Sequence, residues 1–409
     1  MKADMTKPAP VPSRKRRFFR WMRYLLTGLI GLLIALVCAG AIYEGIASRR
    51  DRRQYHPPGR LVDIGGYRLH LDCIGEGSPT VILEAGGGNP WLSWYKVQPQ
   101  VAEFTRVCAY DRAGLGWSDP SPKPRTAKVI AEELHTLLHN AGINGPLLLV
   151  GHSLGGMDAR MFANQYPNEV VGMVLVDSSH PDQDDRFPPE AKKLAAASYY
   201  VIRIMQFTLP IGLPRLLASR SVPPEVRQEF CAVFCRRQFL AAVQAEAAAQ
   251  QENSAQVRAL TSLGNLPLVV LSHDPDKVRF PGKLTEPVNR EWGKMQEELA
   301  HLSSNGSHLV VKGSGHDIQI DKPEAVVDAI RKVVGQAKGA SRQLQAPVQN
   351  NAVDRSRINQ PLAPCITDVA VHQLPGKRKP DQPLMAAGSM TRIFSWRRWR
   401  LRVARRAFR

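Results

Sequence analysis

The stretch that most constrains this chain is residues 147–156, Leu-Leu-Leu-Val-Gly-His-Ser-Leu-Gly-Gly. A short apolar run feeds a Gly-x-Ser-x-Gly turn, and a helix-forming stretch over 157–165 follows. That order is strand, sharp turn, helix. So tight a turn strains the backbone at Ser153, so positions 151 and 155 have to be small. The Ser153 hydroxyl is expected to stand clear at the helix N-terminus. The amide of Leu154 would then point at any negative charge developing beside it.

The surrounding pattern predicts where that turn sits. Strand-like runs cover residues 61–64 and 67–74, joined by Gly65-Gly66, a hairpin signal. Further strands are expected at 79–85, 105–110, 146–150, 170–176, 267–272 and 307–312. Helical periodicity marks 127–141 and a closing helix at 323–336. Strands alternating with helices make this an α/β chain, with a mainly parallel sheet covered on both faces. The sixth and seventh strands are separated by about 90 residues (roughly 178–265), too many for a simple crossover. Helical patterns at 190–219 and 224–260 suit a cap or lid over the functional edge of the sheet.

The net charge of +19 is confined to the ends. Residues 1–23 carry +7 and residues 338–409 carry +12, so the centre is neutral. A neutral centre argues against nucleic-acid binding by the folded domain. Residues 25–43 form a run of 19 without a charge, close to the ~20 needed to cross a bilayer. We expect a basic cytoplasmic segment at 1–23, a transmembrane helix at 24–47, and the rest of the chain outside the cytoplasm. A cleaved secretion signal is the alternative, since Ala39-Gly40-Ala41 resembles a cleavage site. Residues 338–390 read as a disordered tail. Residues 391–409 could form a basic helix lying on anionic lipid, or simply a disordered basic end.

A serine nucleophile needs a base. His316, in Gly313-Ser314-Gly315-His316 just after the last strand, fits best. His273 also ends a late strand but fits that role less well, and His152 reads as a supporting residue. The base in turn needs a carboxylate. Asp276 ranks first, Asp177 second and Asp274 third: Asp177 ends the sixth strand and the other two follow the seventh. A second oxyanion donor is expected from Gly86-Gly87-Gly88, with Gly87 the best candidate. Trp91 and Trp94 either line an apolar acyl pocket or pack in the core. Zinc-ligand spacing is missing, and neither a metal nor a cofactor is expected.

With Gly151-His-Ser-Leu-Gly-Gly156, Gly313-Ser-Gly-His316 and Asp111-Arg-Ala-Gly-Leu-Gly-Trp-Ser118 together, residues 58–337 resemble the α/β-hydrolase superfamily. The likeness is greatest to its bacterial esterases and proline iminopeptidase-like enzymes. The resemblance implies an eight-stranded sheet with a cap after the sixth strand. It also implies Ser153 as nucleophile, His316 as base, and the amides of Leu154 and Gly87 as oxyanion hole. Ala85 departs from the His that many members carry there. The family strand order places the second strand beside the fourth, bringing Cys73 near Cys108. They would form a disulfide outside the cytoplasm, or serve as two small buried hydrophobes. The reading that emerges is a membrane-anchored serine hydrolase acting on a small acyl substrate (ester, thioester or amide). The alternative is a non-catalytic binding or scaffold protein on the same fold.

Overall fold

A computed structural model of the protein describes residues 14–221 and 226–345. The expectations for residues 1–13, for most of the tail and for a helix at 391–409 lie outside the described residues. The chain begins with one long helix, α1 (Arg14–Gln54), longer than the 24–47 expected because the basic flanks are helical too. Then follow β1 (Arg60–Asp63), β2 (Arg68–Ile74), β3 (Thr80–Glu84), α2 (Gln98–Ala102), β4 (Val107–Tyr110), α3 (Ala127–Asn140), β5 (Leu147–His152), α4 (Leu154–Gln165) and β6 (Val170–Val176). The cap contributes α5 (Gln183–Arg186), α6 (Pro189–Thr208), α7 (Leu213–Ser221), α8 (Arg227–Phe234), α9 (Arg237–Ala248) and α10 (Gln250–Arg258). The chain returns through β7 (Leu268–His273), α11 (Thr285–Ala300), β8 (Gly306–Val311), α12 (Ile318–Asp321) and α13 (Pro323–Gln345).

The eight strands form one sheet in the order β1-β2-β4-β3-β5-β6-β7-β8. β1–β2 and β2–β4 pair antiparallel, and every other pair is parallel. The period of two decides which side chains go to which face. On β5, Leu147 and Leu149 pack with Phe162 of α4 and Leu137 of α3. Their neighbours Leu148 and Val150 pack on the other face with Ile330 and Val333 of α13. A third cluster holds the cap together around Ile202, Met205, Phe234 and Phe239. Trp91 and Trp94 are core residues, almost fully buried on the second face.

Four details differ from or add to expectation. The cap divides α6 from α7 at Leu209–Ile211, within the Pro- and Gly-punctuated stretch 208–214 where a break was expected, and Gly212 takes φ +73° there. Between β7 and β8 lies an amphipathic helix, α11, for which the sequence pattern predicted no element. The closing helix runs to Gln345, past the boundary at 337 where regular structure was expected to stop. Cys73 and Cys108 face each other in the β2–β4 register and are joined by a disulfide.

Candidate active site

Ser153 stands between the last residue of β5 and the first of α4, with φ 52° and ψ −121°. The strain is tolerated because the turn is crowded on every side by backbone. A Cβ on Gly151 would come within 2.5 Å of the Gly155 oxygen. A Cβ on Gly155 would come within 2.5 Å of the Ala85 oxygen. The turn is locked further where Ser153 N–H donates to Val176 O (3.1 Å) and Ser153 O accepts from Ser179 N–H (2.9 Å). Leu154 supplies the first amide of α4, which has no acceptor inside its own helix.

His316 lies in the loop between β8 and α12. Its Nδ1 is 2.6 Å from Asp177 Oδ2. Its Nε2 is buried with no hydrogen-bond partner among the described residues. Asp177 follows β6 with φ 43°, a left-handed residue that throws its carboxylate across the end of β7. There it accepts four bonds. Oδ2 takes His316 Nδ1 and also His273 Nδ1 at 2.8 Å. Oδ1 takes the His273 amide at 3.0 Å and Trp292 Nε1 at 2.7 Å. Burial alone would raise the Asp177 pKa, but the two histidines outweigh it and hold the carboxyl well below the usual range. An ionised Asp177 assigns the His316 proton to Nδ1 and leaves Nε2 as an acceptor. Burial would depress the His273 pKa, yet Asp177 more than compensates and the net shift is upward.

Asp276, ranked first among the acids, is not brought to His316, and neither is Asp274. The Asp274 carboxylate is engaged by backbone amides, and Asp276 is exposed in the turn after β7. Asp274 Oδ1 accepts from the Asp276 amide (3.1 Å) and Oδ2 from the Gly313 amide (2.9 Å). Asp177, ranked second, is the one brought to His316. His152 is fully buried between the two loops: its Nε2 meets His316 O at 3.1 Å and its Nδ1 meets Gln319 Nε2 at 3.3 Å. Burial, then electrostatic competition with the neighbouring His316 ring, depress its pKa to about 3, so it is a neutral strut.

The loop after β3 is held from beneath by Arg112. Its guanidinium reaches Ala85 O at 2.5 Å and Gly86 O at 2.8 Å. The same group pairs with Glu84 Oε1 at 2.7 Å and with Glu246 Oε1 of α9 at 2.6 Å. Glu246 Oε2 also accepts the Gly88 amide at 2.8 Å, so the cap and the glycine loop share one carboxylate. Gly87 lies in this loop, between the two residues so held.

An apolar cleft, partly open to solvent, adjoins His316. Its walls include Phe187, Leu194, Phe280 and Trp292, with Ser179 and His273 beside them. Trp91 and Trp94 are not in this lining. Asp177, His273 and His316 cluster closely enough to hold a cation. The separations of 2.6 and 2.8 Å are those of hydrogen bonds, however. Ligands around a zinc ion with bonds of about 2.1 Å stand roughly 3.4 Å apart. The donors do not fit a metal as arranged.

A family model for the alpha/beta hydrolase family matches residues 81–329, a span that contains every residue of this arrangement. The chain belongs to the α/β hydrolase family. Among its relatives is a probable transporter, efuK, of Hormonema carpetanum, 37% identical over 132 residues. That match covers 30% of this chain, and the chain spans only 19% of the length of efuK. An uncharacterized Bacillus subtilis protein, YqjL, is 27% identical over 261 residues, covering 63% of this chain and 85% of YqjL. Among solved structures, that of the epoxide hydrolase CorEH without ligand superimposes with a TM-score of 0.54 at 20% identity. The match covers 68% of this chain and 98% of CorEH, a likeness of fold. In this α/β hydrolase the contributions of His273, Trp292 and Glu246 were not anticipated from sequence. Each reaches a partner far away along the chain, 96, 115 and 134 residues off, and no local motif announces it.

Proposed function

We propose that the protein is a serine hydrolase anchored in a membrane, cleaving a carboxylic ester, thioester or amide. Ser153 attacks the carbonyl, His316 Nε2 takes its proton and returns it to the leaving group, and Asp177 orients and charges the imidazole. The amides of Leu154 and Gly87 receive the oxyanion. Water then releases the acyl group from Ser153. One observation carries this reading. His316 has Nδ1 on an ionised carboxylate, and its buried, unpartnered Nε2 belongs to a loop held against the Ser153 turn by His152. A buried acceptor without a partner is costly, and a serine proton relay is a use for it. The apolar cleft favours an acyl or similarly apolar group. Serine at 153 favours this chemistry over epoxide opening by a carboxylate nucleophile.

The anchor is α1, long and apolar enough to cross a membrane. Retention of α1, rather than its removal as a signal, is supported by packing of Gly40 and Tyr43 on the cap. The disulfide supports an extracytoplasmic hydrolase domain with the N-terminus inside. A fluorophosphonate probe tests the chemistry: the folded wild type should be labelled and Ser153→Ala should not. An unlabelled, folded wild type removes the enzyme reading.

A further inference from the structure

The cap is not free of α1. A Cβ at Gly40 would come within 2.6 Å of the Ile211 oxygen, and one at Gly212 within 3.1 Å of the Tyr43 ring. Arg215 of α7, itself buried, grips Glu44 with two nitrogens at 2.9 and 3.0 Å. It also reaches Asp51 Oδ2 at 2.6 Å. This contact fixes the height of the cap on the helix. Gly40 lies three residues inside the uncharged run that ends at Tyr43. At 1.5 Å of rise per residue that is about 5 Å inside the apolar boundary. Whatever layer surrounds residues 25–43 therefore also surrounds the Leu209–Ile211 turn.

The exposed surface there is apolar. Helix α6 is hydrophobic on two sides. Ile202, Met205 and Leu209 are buried in the cap cluster. Tyr200, Ile204 and Phe207, at i, i+4 and i+7, share the outer face and are 65%, 58% and 79% exposed. Leu213 and Leu216 of α7 extend this surface, and Ile42 and Ile46 of α1 are exposed as well. The segment Pro189–Ile211 would pass for a membrane span by length and composition, but its inner face is committed to the fold. It can lie in a bilayer surface and cannot cross one. Such a helix normally sinks ~5–10 Å into the headgroup and acyl boundary, the depth that the α1 contact sets independently.

We propose that the outer face of α6 and α7, from Tyr200 to Leu216, docks into the acyl layer of the same leaflet that holds the C-terminal end of the α1 span. Its partner is lipid. Leu194, one turn and a half back along α6, lines the cleft beside His316. The docked helix thus also supplies a wall of the cleft, which brings the cleft close to any substrate dissolved in the leaflet. The inference rests on α1 being a membrane anchor.

The test uses the full chain with Cys38→Ser and Cys365→Ser, leaving Cys231 and Cys235 buried. A nitrobenzoxadiazole label is placed on Phe207→Cys, on Ile204→Cys, or on Asn168→Cys at the far end of β6. Each protein is reconstituted in phosphatidylcholine vesicles with or without lipid carrying doxyl groups high on the acyl chain. Docking predicts flotation with the vesicles and loss of about half the emission at 207 and 204, with little loss at 168. Flotation with no quenching at 207 and 204, or with equal quenching at all three, overturns the docking and leaves the anchor intact. Failure to float removes the anchor, and the docking with it.

Discussion

His273 and His316 share one oxygen of Asp177, at 2.8 and 2.6 Å from their Nδ1 atoms. The carboxylate that orients the candidate base is thus also a bolt between the ends of β6, β7 and β8. Removing its charge should harm chemistry more than architecture.

Asp177→Asn keeps the shape but loses the negative charge and invites the wrong histidine tautomer. Ester turnover (kcat) should fall by about 10⁴, as when a triad acid is amidated. Asp276→Asn should stay within about two-fold, because its side chain makes no bond to His316 and exposed polar changes are mild. Kinetics on p-nitrophenyl esters, with circular dichroism to check folding, decide between them. A large loss in Asp276→Asn with a near-normal Asp177→Asn would reverse the assignment.

Glu246→Ala should leave the buried Arg112 guanidinium short of a partner and the Gly88 amide without its acceptor. Breaking a buried pair by removing one member costs about 3–5 kcal/mol. Glu84 still faces Arg112, so the low end is expected. Thermal unfolding in detergent measures the stability. The same variant should lower kcat more than it raises KM, because a loosened glycine loop affects the oxyanion rather than substrate binding.

His152 predicts a pH dependence. Its folded pKa is near 3 against an unfolded value of about 6.5, so the unfolded chain binds the extra proton as pH falls. This group's contribution to stability is therefore intact above about pH 6.5 and is lost progressively as pH falls towards 3. Between pH 7 and 5 wild type should lose about 2 kcal/mol more than His152→Gln, which cannot titrate. Parallel denaturant titrations of the two proteins at both pH values provide the comparison. Equal losses would mean His152 is not buried neutral.

Two glycines should respond in opposite directions. Gly155→Ala drives a Cβ against the Ala85 and Glu84 carbonyl oxygens at 2.5 and 2.6 Å, and the turn has no room to shift. Tm should drop, and labelling at Ser153 should disappear. At Gly335, exposed on α13, nothing lies within 4 Å of the added Cβ. There Ala should stabilise by about 1 kcal/mol, the helix-propensity difference.

How much of this was legible in the sequence depended on how local each determinant is. The turn at Ser153 is written in ten consecutive residues, because strand, small flanking residues and helix must follow one another without a gap. The sheet and the inserted cap were legible for the same reason: hydrophobic period and segment length are local properties. The choice among Asp177, Asp274 and Asp276 was not. On the proposed assignment it turns on a left-handed residue after β6 and on two backbone amides that occupy Asp274, one in its own turn and one after β8. None of these leaves a mark in composition or period. Glu246 and Arg215 were equally hidden, since each finds its partners more than 130 residues away. Helix α13 outlasted its expected end because its last turns carry Ala340, Arg342, Gln343 and Leu344, good helix formers.

The carboxylate of Glu246 has a wider consequence. It belongs to the cap, yet it holds the glycine loop after β3, where the proposed oxyanion donor lies. On the proposed mechanism, the packing of the cap and the speed of the chemical step are therefore not separately adjustable. A substitution in α9 that displaces Glu246 will also move the Gly86–Gly88 loop and with it the amide proposed to stabilise charge. Laboratory evolution towards a new substrate should find its gains away from α9, on the Leu194 and Phe280 walls, where shape can change without disturbing the electrostatics.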